Sequence, residues 1–169
     1  MIQSVYHMDM MRRKDRQQDG AFAKQVLETA PYGILSMIDG DGSPYAIPIS
    51  FALAGERIYI HGATEGKKLR LIGADGRICF TVVGKTRLLP AQFSTEYESV
   101  VVFGTARIVT DEQERHDGLM ALARKYSPEF TQEAEAYIAR ARNETSVIRI
   151  DITQMSAKAK LPKPSQTTT

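Results

Sequence analysis

Two lysines and a histidine, set around a pair of glycines, are the side chains of this chain best placed to do chemistry. They lie in "IYIHGATEGKKLRL" (residues 58–71), which begins strand-like, passes through Gly62 and Gly66, and ends in a basic apolar segment of helical character. Lys67 and Lys68 follow Gly66 directly, at what reads as a helix start. Cations are unfavourable there, because the exposed N–H groups already carry partial positive charge. Two explanations stand. The lysines belong to a solvated basic turn, or they hold an anion, with glycines admitting the backbone, N–H groups aimed at the ligand and ammonium groups neutralising it. Consecutive helical residues diverge by about 100°, so the two lysines need not serve the same oxygen. His61 closes the strand; it could bind a ligand or pass a proton, since its ordinary pKa lies near neutrality, or it could cap the strand structurally. A metal role does not fit, because His7 and His116 lie in unrelated segments and no second ligand has suitable spacing. Cys79, between Ile78 and Phe80, reads as a small buried hydrophobe. Arg12, Arg13 and Arg16 read as a solvated charge run.

The elements that must position these groups follow from a change of period along the chain. Phe22, Val26 and Leu27 share one face of an expected short helix that Pro31 ends. Residues 32–39 then read as a strand, and "GDGS" (residues 40–43) is a hairpin signal. Residues 44–53 answer it with Pro48 inside the run, which makes this an edge, a bulged strand, or one exposed toward a ligand. After "AGE" the segment Arg57 to Gly62 gives a third antiparallel strand in succession. Residues 76–83 form another, "GKTRLLP" is ambiguous, and residues 97–110 are the longest β-rich run, with Gly104 marking a bulge or bend. From Asp111, a candidate cap, to about Arg142 the chain turns helical. Pro128 opens a second segment there, whose apolar face would comprise Phe130, Ala134, Tyr137 and Ile138. Residues 145–152 alternate as a final strand, and the tail from Lys158 is expected to fray. The expected organisation is an arm over 1–20, one domain over 21–157 and a flexible tail over 158–169.

Composition limits the function classes. The 169 residues suffice for one domain, with 43% hydrophobic and 25% charged residues. A formal net charge of +2 lacks the basic excess of a nucleic-acid binder. One cysteine allows no internal disulfide and suits a reducing compartment. No apolar run approaches the roughly 20 residues that cross a bilayer, and the N-terminus shows no signal-peptide pattern. A cytoplasmic protein is expected. Strands in antiparallel order with inserted helices mean an α+β fold rather than a Rossmann fold, and closure into a small barrel would remove exposed edges.

Taken in order, "MRRKDR" (residues 11–16), "YGILSMIDGDGSPYAIPISFAL" (32–53), "IYIHGATEGKKL" (58–69), "RICFTVV" (77–83) and "YESVVVFGTARIV" (97–109) resemble the FMN-binding split-barrel superfamily of pyridoxamine 5′-phosphate oxidase. The resemblance is nearest to its nitroimidazole-reductase-like branch. It implies an antiparallel six-stranded split β-barrel and a homodimer with FMN in the cleft between subunits. It places Tyr45, Ala46, Ile47, Pro48, Ile49 and Ser50 beside the isoalloxazine and ribityl chain. Ile60, His61 and Gly62 would form the next strand of the cleft, and Gly66, Lys67 and Lys68 would bind the phosphate. Glu98 and Ser99 would reach the flavin from the partner subunit. His61 is the candidate catalytic residue. The chain departs from the oxidase proper: it has no tryptophan, Ser50 stands where the oxidase has a basic residue, and only Lys158, Lys160 and Lys163 follow Arg149. Oxidation of pyridoxamine phosphate is therefore not expected. The implied activity is FMN-dependent reduction of a small substrate such as a nitroaromatic, with a reduced nicotinamide cofactor as a possible donor. A non-catalytic flavin carrier or redox sensor, and a haem- or deazaflavin-binding barrel, are the alternatives. Because a flavin carries its own redox chemistry, the lack of a catalytic triad does not count against an enzyme.

Overall fold

The computed structural model describes residues 11–141 and 144–162. Residues 1–10 of the expected arm, the Arg142 end of the helical region, and Lys163 with the rest of the tail lie outside the described residues. The described chain begins with β1 (Gln17–Gln18), α1 (Gly20–Thr29), β2 (Gly33–Ile38), β3 (Pro44–Ile49) and β4 (Ala52–Ala54). It continues through β5 (Arg57–Gly62), α2 (Lys67–Ala74), β6 (Arg77–Leu89) and β7 (Ser94–Ile108). It ends with α3 (Glu112–Tyr126), α4 (Thr131–Arg140) and β8 (Ser146–Lys160). Among the described residues no helix is long and apolar enough to cross a membrane.

All pairings are antiparallel, in the order β3-β2-β6-β7-β8-β5-β4, with β1 added to β8. The two ends of this path, β3 and β4, are joined by Ser50 and Phe51 alone. Three Cα steps span at most about 11 Å, so the sheet has to curve until its edges meet. The seam between β3 and β4 is the split of a split barrel. The α+β class expected from the sequence is therefore the observed one, with eight strands rather than six.

The extra strands have identifiable causes. The run 44–53 is not continuous: it breaks at Ser50 and Phe51, where the chain passes from one edge to the other. The segment 57–62 does not extend the first hairpin either; β5 pairs with β4 and with β8. "GKTRLLP" belongs mostly to β6, which forms a long hairpin with β7 that has one register shift between Val83 and Thr86. The tail does not start at Lys158. β8 runs through Lys160, with Ala157 and Ala159 buried and Lys158 and Lys160 alternating outward, and Gln17 and Gln18 pair with Lys158 and Ala157. Pro48 lies on an edge strand opposite Ile34, where its missing donor breaks no ladder. Gly104 marks a bulge, with the β7–β8 register shifting between Phe103 and Gly104.

The barrel interior is closed by Phe51 and Phe80, packed edge to face with centroids 5.1 Å apart, together with Leu35, Ile58, Ile60, Val102, Ile148 and Ile150, all fully buried. Each such side chain contributes about 1.5–3 kcal/mol on burial. Helix α1 is capped by Asp19, whose carboxylate accepts the Phe22 N–H at 2.8 Å, and it packs Ala23, Val26 and Leu27 onto this core. The chain leaves the helix at Ala30, one residue before Pro31.

Candidate functional site

The loop between β5 and α2 is built as the sequence suggests. Gly66 has φ +126°, a conformation in which a side chain is strained, and its carbonyl receives the first helical bond from the Arg70 N–H at 3.2 Å. The N–H groups of Lys67, Lys68 and Leu69 precede that bond, so no preceding turn can satisfy them. The two lysines diverge. Lys67 Nζ pairs with Asp39 at 3.0 Å and lies over the Tyr45 ring, 4.5 Å from its centroid. Arg70 approaches the same carboxylate at 3.8 Å. Hydrogen bonding to Lys67, before all other causes, holds the Asp39 carboxyl below its ordinary pKa.

Lys68 turns the other way. A Cβ on Gly62 would fall 2.5 Å from its Nζ, so the ammonium occupies the space that the glycine leaves open. Among the described residues no carboxylate pairs with it, and burial lowers its pKa. His61 is also held below its ordinary pKa, first by partial desolvation of the ring and then by the nearby Lys68 charge. Its neutral form is thereby favoured at neutral pH.

His61 and Ser50 share the rim of a cavity of about 600 Å³. Its other walls come mainly from α3, α4 and the turn between them, chiefly Tyr126, Phe130, Glu133 and Tyr137. The apolar face expected for the second helical segment, Phe130, Ala134, Tyr137 and Ile138, lines this cavity. No residue of α4 is buried, and Phe130 and Tyr137 are 58% and 65% exposed, because the apolar face borders the cavity instead of the core. Tyr126 was not singled out by sequence reasoning, yet it fixes the seam. Its hydroxyl accepts the Phe51 N–H at 2.8 Å and lies 2.8 and 2.9 Å from the carbonyls of Pro31 and Phe51, to which it can donate. The neighbouring Lys125 donates to the Leu27 carbonyl at 3.0 Å and sits 3.6 Å from the Phe51 ring centroid; burial lowers its pKa to about 8.

The remaining candidates are distributed as follows. Tyr45, Ile47 and Ile49 pack against the core, whereas Ala46, Pro48 and Ser50 face outward. Ile60 is fully buried and contributes to the barrel interior. Glu98 and Ser99 lie on the β6–β7 hairpin, outside the cavity lining. Glu98 accepts the Lys85 backbone N–H at 3.0 Å, and Ser99 donates to the Lys158 carbonyl at 3.3 Å. Cys79 is half-buried on β6, with Sγ 3.9 Å from the Thr81 hydroxyl, and is not the fully buried hydrophobe expected.

Helices α3 and α4 are joined by His116 and Glu135, with Nε2 2.6 Å from Oε2. That hydrogen bond is the main cause of a raised His116 pKa. A histidine whose folded pKa is raised adds stability below its unfolded pKa, near 6.5, and loses it as pH climbs through the folded value. Amide hydrogen exchange in α4 is therefore expected to be slower at pH 6 than at pH 8.5, after correction for intrinsic rates. His116→Gln should remove the difference.

Comparison with solved structures gives the same architecture. A candidate 5-nitroimidazole antibiotic resistance protein from Bacteroides thetaiotaomicron superposes with TM-score 0.69 at 20% identity, covering 84% of each chain. The flavocytochrome Anf3 from Azotobacter vinelandii gives 0.70 at 23% identity, covering 91% of this chain and 73% of its own. An FAD and haem binding protein from Mycobacterium smegmatis gives 0.72 at 25% identity, covering 89% and 76%. No curated protein matches the chain. Residues 21–159 match the pyridoxamine 5′-phosphate oxidase family, and the chain, from its first core helix through its last strand, belongs to that flavin-binding split-barrel family.

Proposed function

We propose that this protein is a flavin-dependent oxidoreductase that holds FMN between the subunits of a homodimer and reduces a small substrate such as a nitroaromatic compound. A reduced nicotinamide cofactor is the proposed electron donor. The observation that carries the reading is the start of α2, where Gly66, the three N–H groups after it and Lys68, which has no carboxylate partner among the described residues, stand together, with the Lys68 charge near enough to His61 to lower its pKa. This donor set suits a phosphate, which needs backbone approach, N–H donors and a cation. Lys68 and the α2 N–H groups would hold the phosphate, while Lys67 stays with Asp39 and Tyr45. The outward residues Ala46, Pro48 and Ser50 would border the ring system. Once bound, the flavin would supply the electron chemistry, and the protein would supply position and electrostatics. Neutral His61 would offer a hydrogen bond at the reacting face, and its imidazolium form, which the lowered pKa makes the minor one, is the proposed proton donor.

A second copy is the proposed partner because the β6–β7 hairpin exposes Leu88 and Phe93, 75% and 99% accessible, a pattern that marks association surfaces. Glu98 and Ser99, on the same hairpin, would then reach the partner's cofactor.

The absorbance spectrum of the purified protein, before and after incubation with FMN, tests the reading. A bound flavin spectrum that bleaches with a reduced nicotinamide and recovers with a nitroaromatic is expected. A protein that stays colourless overturns it. Bound flavin that no donor reduces would favour a carrier or redox sensor. The haem in the Mycobacterium smegmatis relative motivates a second reading, in which His61 is an axial ligand; a haem spectrum abolished by His61→Ala would support it.

A further inference from the structure

We propose that the cavity between the barrel seam and the α3–α4 pair is a binding site for a planar aromatic molecule that is uncharged or cationic, and that Glu133 makes it reject aromatic anions. The inference deepens the reading given above by naming the substrate class. Three observations carry it. The volume, about 600 Å³, is that of a small-ligand pocket. Tyr126, Phe130 and Tyr137 supply aromatic faces, two of them highly exposed, Phe130 just before α4 and Tyr137 on it, where a flat ring gains by stacking. The third observation is electrostatic. Among the described lining residues Glu133 is the one carboxylate and there is no lysine or arginine, while His61 is biased to its neutral form.

A carboxylate over aromatic walls favours a cation or a neutral ring, because cations are attracted both to the charge and to the ring faces. An aromatic carboxylate would meet Glu133 with no compensating lysine or arginine among the described lining residues. The cavity would therefore sort ligands by charge and by shape, whereas Lys68, outside its lining and beside Gly62, would serve the anion site. Two neighbouring subsites of opposite charge preference would keep a phosphate-bearing cofactor and its substrate from exchanging places.

The test is equilibrium binding to flavin-free protein, followed by ligand-observed NMR and calorimetry, with 4-nitrobenzyl alcohol, 4-nitrobenzyltrimethylammonium and 4-nitrobenzoate as probes. The first two are expected to bind, and the benzoate about fivefold more weakly, the scale of one exposed charge. Glu133→Gln should close that gap, and Phe130→Ala or Tyr137→Ala should weaken all bound probes about fivefold. Both aromatic residues are exposed, so unchanged circular dichroism is expected and separates lost binding from lost fold. Benzoate binding as tightly as the alcohol, or a gap that survives Glu133→Gln, overturns the proposal. So does stoichiometric displacement of the probes by FMN, which would make the cavity the flavin's own. Probe binding that disappears as the protein associates would assign the cavity to a second copy. Because no flavin or turnover enters the measurement, a protein that never binds FMN would leave this result readable.

Discussion

Replacing Lys68 by alanine is expected to weaken FMN binding by about 2 kcal/mol, roughly thirtyfold, while Lys67→Ala costs about threefold or less. The two residues are adjacent in sequence and chemically equivalent, so the asymmetry is a test of structure. Lys67 already has a carboxylate partner in Asp39 and an aromatic surface in Tyr45, and its charge is largely compensated before any ligand arrives. Lys68 has neither. Its ammonium sits partly desolvated in the space beside Gly62, and an arriving phosphate would restore the interactions that burial removes. Together the two substitutions should cost about 2–4 kcal/mol, with nearly all of it carried by Lys68. Fluorescence quenching titrations of FMN with the two single variants decide the matter. Equal losses, or no loss from either, would remove Lys68 from the phosphate site and return the lysines to a solvated turn.

Asp39→Asn sharpens the same comparison. If Asp39 is what keeps Lys67 away from the ligand, its neutralisation should free the Lys67 charge and make Lys67→Ala more costly in that background. The coupling between the two positions, read as a double-mutant cycle, is the relevant quantity.

The local parts of this site were legible in the sequence because they depend on local rules. Gly66 before a helix, Pro48 on an edge, Gly104 at a bulge and Asp111 as a cap, accepting the Glu114 N–H at 2.8 Å, each follow from the geometry of a few consecutive residues. What was not legible depended on partners far away in the chain. Nothing near Lys67 announces Asp39, and nothing in residues 57–62 announces that they pair with β8 as well as with the short β4. The end of β8 failed for a different reason. Its inward positions are Ala157 and Ala159, and alanine is a weak strand former, so the Ala–Lys alternation over 157–160 looked like a polar tail. Read as a period of two, it was a strand signal. For α4 the apolar face was legible and what it borders was not, since periodicity reports a face and not what covers it. Tyr126 escaped because a tyrosine at a helix end has no special pattern; only the seam gives its hydroxyl three backbone groups.

The largest effect on stability is expected from Gly104→Val, because the obstacle is backbone. A Cβ at Gly104 would lie 2.4 Å from the Asp151 carbonyl oxygen and 3.2 Å from Ile150 Cγ2, and the carbonyl cannot move away without parting β7 from β8. The position also sits at the bulge in that ladder, between Val102 and Ala106, whose side chains are buried in the barrel. Relief by rotating a side chain, the usual escape from overpacking, is not available here. A loss of about 3 kcal/mol is expected, equivalent to a fall in Tm of roughly 6–12 °C for a chain of this length. Gly73 provides the control. It lies within α2 with nothing inside 4 Å of its ideal Cβ and no positive φ, so Gly73→Ala should stabilise by about 0.5–1 kcal/mol through a smaller entropy loss on folding. Thermal unfolding of both variants, alongside the parent chain, compares two glycines that composition cannot tell apart. A Gly104→Val protein melting within about 2 °C of the parent would mean that β8 can slide or separate from β7 at low cost. The long β8 strand, to which β5 and its His61 are paired, would then be too compliant to fix the seam and the cavity beside it.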